Sequence, residues 1–319
     1  MIHEYALDPG TLGGRFIQLS AFFEEAFNQF SGRHISEFPR HWSRQVLNAF
    51  HVGGGAKGSH EELELKAFLR RLDERAIRRR GIRLEQAAWV EQAQSEHANR
   101  PFHAIMSSSN PQNHQDVIPI AAYRQHRLWA QPREQEILRS PQEMARAASP
   151  LLRSAKHIVF VDPYFDVLQD CYLQSFQSFF SEIWQSNTYQ RPQVEIITGL
   201  KGCWERGTGQ PRQDDINSFQ NECTARLSVF VPQGCRIKMH LFKEKRGGQQ
   251  LHNRYILTNL AGIKFPAGLG CGPANRRTGD DLSLISNGSI RQLWGIYTNR
   301  RPAAFDEVIP SFDIDGVAP

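Results

Sequence analysis

The chain of 319 residues carries 38 Lys and Arg against 33 Asp and Glu, a formal net charge of +5, and 40% of it is hydrophobic. That length allows one large or two medium domains with a sizeable core. The absence of any run of eighteen apolar residues excludes a transmembrane helix, and five cysteines without a Cys-x-x-Cys pair exclude a disulfide framework or zinc ribbon. The opening Met1-Ile2-His3-Glu4 lacks the basic and apolar regions of a signal peptide, which points to the cytoplasm, and the basic excess suits a partner that is a polyanion.

Taken in order, Phe16, Leu19, Phe22, Phe23, Ala26, Phe27 and Phe30 recur at helical spacing and predict an amphipathic helix from Thr11 to about Ser31. A second helix is expected over Ser36 to Phe50. The glycine run that follows lacks the Gly-Lys-Ser/Thr order of a phosphate-binding P-loop and reads as a loop. Ser59 with Glu61 and Glu62 caps a third helix whose apolar side is Leu63, Leu65, Phe68, Leu69 and Leu72, and a fourth is expected from about Leu84 to Glu96. Residues 1–98 therefore read as a mostly helical, basic module. Its arginine run, including Arg75, Arg78, Arg79 and Arg80, is a candidate contact for nucleic-acid phosphates.

A second domain is placed at residues 99–319. Phe102 to Met106 predicts a strand, Ser140 and Pro141 open a helix to Lys156, and His157 onward is a continuous apolar strand that stops at Asp162-Pro163. Strands at Val194 to Gly199 and Arg236 to Phe242 alternate with helices, which implies a parallel or mixed sheet with helices on its faces. The connection at 243–250 reads as a hairpin that sets the strand from His252 to Thr258 beside that of Arg236 to Phe242. Ser286 and Ser289 cap a helix with Ile290, Leu293, Trp294 and Tyr297, and the tail after Arg301 has no periodicity and reads as an irregular strap.

Residues 251–259 read Leu-His-Asn-Arg-Tyr-Ile-Leu-Thr-Asn. On an extended strand His252 and Arg254 project to one face, so an imidazole and a fixed cation converge on one anion. The order resembles the signature of the phospholipase D superfamily, with Arg254 in place of Lys and Asn259 in place of Asp. The resemblance covers about residues 99–300 and implies an α/β fold with a phospholipase-D-like mixed sheet flanked by helices. It implies a metal-independent phosphodiesterase or nuclease with no cofactor, in which His252 attacks phosphorus and Arg254 clamps the phosphoryl oxygens. A second histidine would come from His240, which with Lys238 shares the face of a strand expected beside that of His252, or from a partner subunit in a homodimer, or be absent.

Asp162 or Glu195, or Asp280 or Asp281, would supply the carboxylate that Asn259 lacks, and Ser286 and Ser289 would bring a helix amino end to phosphate. The activity implied is on nucleic acid, in a setting such as bacterial defence. Two alternatives stay open: a binding module that holds a phosphate of nucleic acid or lipid without turnover, and a scaffold whose amino-terminal helices bind a protein partner.

Overall fold

The computed structural model describes residues 2–27, 31–79, 88–130, 132–186, 191–199, 213–273, 277–298 and 304–317. The chain divides into two compact units, Ile2–Pro132 and Arg133–Pro319.

The first unit runs β1 (His3–Leu7), α1 (Pro9–Gly14), α2 (Phe16–Ala26), β2 (Arg33–Glu37), α3 (Trp42–Val52), α4 (His60–Asp73), β3 (Ile77–Arg78), α5 (Trp89–Asn99), β4 (Ala104–Ser107) and β5 (Val117–Pro119). Its strands form one sheet in the order β3-β2-β1-β4-β5, parallel throughout. A parallel sheet must be covered on both faces. Tyr5 and Leu7 pack with Phe23, Val46 and Leu65 in one core, and Ala6 packs with Phe38, Ala93 and Phe102 in the other.

The mostly helical module expected over residues 1–98 is thus an α/β unit that extends to Pro132, and the strand expected to open the second domain is β4 of the first unit's sheet. The physical reason lies in the strands. His-Glu-Tyr-Ala-Leu, Arg-His-Ile-Ser-Glu and Ile-Arg are short and carry polar ends, so they show neither an apolar run nor clean alternation. The helices stand out by contrast: Ser59 accepts from the Glu62 N–H at 3.2 Å, and the Glu62 carboxylate reaches back to the Gly58 N–H at 2.6 Å, fixing the start of α4.

The second unit runs β6 (Glu134–Leu138), α6 (Pro141–Ser154), β7 (His157–Val161), α7 (Asp170–Ser186), β8 (Gln193–Gly199), α8 (Gln213–Leu227), β9 (Arg236–Glu244), β10 (Tyr255–Thr258), β11 (Gly262–Lys264), β12 (Gly279–Leu284), α9 (Asn287–Thr298) and β13 (Phe305–Asp315). The sheet order is β13-β9-β8-β7-β10-β11-β12-β6. The ladders β7–β8 and β8–β9 are parallel and the others antiparallel. This is a mixed sheet flanked by helices. Phe160 of β7 meets Phe176, Phe179 and Phe180 of α7, with ring centroids 5.1, 5.6 and 6.1 Å away. The other face carries α9, where Trp294 lies edge-on to His157 at 5.0 Å.

Two expectations are corrected here. Strands β9 and β10 are not neighbours, because β8 and β7 lie between them. Residues 245–254 are too many for a tight hairpin, and they let the fully buried Tyr-Ile-Leu-Thr of β10 seat on the free edge of β7. The tail is not an irregular strap: residues 305–315 form β13, an edge strand antiparallel to β9.

Candidate phosphate site

Because β10 runs antiparallel to β7, with Tyr255 opposite Val161, the segment entering β10 lies beside the segment leaving β7. His252 and Arg254 therefore meet Asp162, Pro163 and Tyr164. Both motif residues precede β10 instead of lying on it, and the pairing, not a shared strand face, brings them together.

His252 is exposed, and its Nδ1 lies 3.2 Å from the Tyr164 hydroxyl. The Arg254 guanidinium lies over the Tyr164 ring, 4.6 Å from its centroid, and donates from Nη1 to the Pro266 carbonyl at 3.2 Å. Its Nε is buried and has no hydrogen-bond partner among the described residues. A ring on one side and a carbonyl on another hold the guanidinium plane, which is the preorganisation a bidentate anion contact needs.

Asp162 is 1% exposed and serves the backbone. Its Oδ1 accepts from the Tyr164 N–H at 2.9 Å and its Oδ2 from the Leu269 N–H at 2.8 Å. Burial pushes its carboxyl above the usual carboxylate range, against those two bonds and the charges of Arg254 and Arg139. Gly268, at φ +101°, lets the loop approach: a Cβ there would sit 3.3 Å from Asp162 Oδ2 in a conformation side chains rarely adopt. Asp162 thus ties the exit of β7 to the loop 265–272 and builds the floor of the site.

The other expected site residues lie elsewhere. Asn259, at the far end of β10, accepts through Oδ1 from the N–H groups of Lys156 (2.9 Å) and His157 (3.2 Å), pinning the entry of β7. His240 is 1% exposed, and its Nε2 lies 2.7 Å from Glu195, which also meets His157 Nε2 at 2.9 Å. Burial alone would raise the Glu195 carboxyl, but the hydrogen bonds and charges of the two histidines outweigh it and hold the group far below the usual carboxylate range. His240 and Glu195 are therefore engaged inside the sheet. Lys238 faces Asp313 at 3.9 Å, and Ser286 donates to Ser289 at 3.0 Å at the start of α9.

In the arginine run the side chain of Arg79 is fully buried. It bonds both Glu4 oxygens at 2.7 and 2.8 Å and Glu96 at 2.6 Å, and it lies over Phe102 with Cζ 3.6 Å from the ring centroid. That removes it from any surface contact with nucleic acid. Arg75 donates to the Phe27 carbonyl at 3.4 Å, Arg78 faces Glu37 at 3.8 Å, and Arg80 lies outside the described residues.

The structure adds two residues to the site that reading along the chain did not select. Tyr164 stands in the Asp-Pro-Tyr-Phe exit of β7, where its position after a buried strand was the available signal. Arg139, which acts on Asp162 through its charge and donates from Nη2 to the Gly270 carbonyl, gave no signal, being one arginine ahead of a helix cap.

No protein-family model matches the chain, and no curated protein matches it. Among solved structures, a phospholipase D family member, Nuc from Salmonella typhimurium, is similar over 56% of this chain and 98% of its own, at 10% identity and a TM-score of 0.33. TrmBL2, an archaeal chromatin protein described as showing a novel mode of DNA binding, is similar over 85% of this chain and 71% of its own, at 8% identity and a TM-score of 0.27. No helix among the described residues is long and apolar enough to cross a membrane.

Proposed function

We propose that the second unit holds a phosphodiester of nucleic acid between His252 and Arg254 and hydrolyses it without a metal, in the manner of the phospholipase D superfamily that its motif resembles. The observation that carries this reading is the exposed His252 beside an Arg254 whose guanidinium is already held by Tyr164 and Pro266. If Nδ1–H donates to the Tyr164 oxygen, the Nε2 lone pair is left bare for attack on phosphorus. The P–O bond to the leaving oxygen breaks as the N–P bond forms, Arg254 offsets charge on the phosphoryl oxygens, and water then cleaves the N–P bond.

The leaving oxygen needs a proton. His240 is buried on Glu195, so a second copy of the chain, bringing its own histidine, is the proposed source. Asn259 serves the backbone of β7, so its replacement of a carboxylate leaves the surroundings of His252 unaltered.

A second reading, phosphate binding without turnover, is favoured by one feature: the partner of His252 among the described residues is a phenol and no carboxylate. Incubating the full chain with single- and double-stranded DNA and RNA in EDTA, beside His252→Ala and Arg254→Ala, separates the two. Turnover predicts EDTA-resistant cleavage that falls by about 10³-fold or more in His252→Ala. Binding alone predicts no cleavage, with affinity lowered and salt dependence flattened in Arg254→Ala. Neither cleavage nor salt-dependent binding on any of these substrates would sink both readings.

A further inference from the structure

A cavity of about 380 Å³ opens at the amino end of α6, lined in part by Cys271 and Gly272 at the end of the loop that floors the site. Arg139, Ser140, Gln174, Cys271, Arg277 and Thr278 line it, and no acidic side chain does among the described residues. Two arginines, a serine, a threonine and a glutamine along one cavity make its lining basic and polar, and the positive end of the α6 dipole adds to it.

The wall is fixed by the backbone. The Gly272 N–H donates to the Arg139 carbonyl at 2.7 Å, and the Arg139 N–H donates to the Thr278 carbonyl at 2.9 Å. Thr278 Oγ1 and Arg139 Nε are both buried and have no hydrogen-bond partner among the described residues. The Arg139 guanidinium donates to the Gly270 carbonyl and its charge acts on Asp162 and Asp280, whereas Arg277 is exposed. The cavity thus holds one partly compensated cation and one accessible cation.

We propose that this cavity is a second phosphate-binding site, taking another phosphate of the polyanion whose first phosphate sits at His252 and Arg254. The proposal deepens the reading above, yet it stands on separate residues. The two sites are joined by one loop: Gly268 lies against Asp162 and Arg254, Gly270 accepts from Arg139, and Gly272 lines the cavity. Four residues of chain span at most about 14 Å. Gly268 and Gly272 are therefore close enough for one polyanion to reach both sites.

The test uses the full chain with two probes, inorganic phosphate by calorimetry and a single-stranded DNA 12-mer by fluorescence anisotropy across a salt series. Arg277→Ala, an exposed change that leaves the wall intact, is expected to remove one of two phosphate equivalents. It is also expected to weaken the 12-mer roughly three- to tenfold and to flatten the slope of log K against log salt by about 0.7. Arg277→Lys should restore most of the slope.

Unchanged stoichiometry and slope in Arg277→Ala, with binding lost only in Arg254→Ala, would overturn the second site and leave the first reading standing. Loss in Arg277→Ala with Arg254→Ala unaffected would do the reverse. Phosphate bound at the cavity, with no effect of Arg277→Ala on the 12-mer, overturns the link to nucleic acid.

Discussion

The Asn259 amide does a task that a carboxylate in its place could also do: it offers one oxygen to two N–H groups where α6 passes into β7. At residue scale this separates position in a motif from role in a reaction. The variant Asn259→Asp keeps both acceptor contacts and is expected to stay within about 0.5 kcal/mol of the parent protein in urea unfolding. Asn259→Ala leaves two N–H groups at a strand entry without their acceptor and should cost about 1–2 kcal/mol, with phosphate binding retained by the folded fraction. Binding lost in Asn259→Ala at unchanged stability would show instead that the amide acts on the ligand.

The same scale explains which site residues could be read in advance. His252 and Arg254 are close in sequence and carry a recognisable order. Asp162 is a candidate by its place at the end of an apolar strand, whereas Tyr164 and Arg139 join the site only through the β7–β10 pairing and the loop 265–272. Arg79 shows the opposite error, since a run of arginines looks solvated until Glu4, 75 positions earlier, is seen to claim one of them.

Among the elements, those with one strong signal were legible and those that depend on a partner were not. The apolar run of β7 and the capped helix α6 declare themselves, with Ser140 accepting from the Glu143 N–H at 3.3 Å. Strand β13 does not, because it is an edge strand: Phe305, Ile309 and Ile314 are buried, with charged and polar residues between them. Its pairing with β9 shifts register between Ile309 and Phe312, around Pro310, a residue tolerated in a sheet mainly at an edge or irregularity.

Burial of three such side chains contributes about 5–8 kcal/mol, comparable to the whole stability of a domain. Ending the chain at residue 303 is therefore expected to abolish cooperative unfolding of the second unit and, by baring the β9 edge, to promote association. The milder Ile314→Ala should cost about 2–5 kcal/mol and keep the fold. Circular dichroism during urea unfolding and light scattering measure both. A truncated chain that unfolds cooperatively and stays monomeric would remove β13 from the core of the unit.

For the molecule as a whole, the two units bury ionisable groups that respond to acid in different pH windows. In the first, burial and the neighbouring His103 pull His3 down to about 3, and burial pulls His34 down to about 4 against a hydrogen bond to the Arg75 carbonyl. Burial lowers His103 as well, and its Nδ1 lies 2.8 Å from that of His3, so the two titrate as a pair. A histidine whose folded pKa is depressed adds stability above its unfolded value near 6.5, and that stability is lost as pH falls toward the folded value. In the second unit Glu195 is held low, so its contribution persists down to about 4.5, the ordinary value, and fades only below it. Asp162 and Asp280 are raised by burial and favour the fold as they take up protons.

The first unit should therefore lose about 2–4 kcal/mol between pH 6.5 and 5 while the second holds. Urea unfolding at pH 7.5, 6 and 5, read by hydrogen exchange peptide by peptide, should show β1, β2 and β4 losing protection before β7, β8 and β10. His34→Gln should flatten the pH dependence of the first unit and leave that of the second unchanged. Simultaneous loss in both units, or earlier loss of β7 to β10, would mean that the buried histidines of the first unit are not what sets its acid limit.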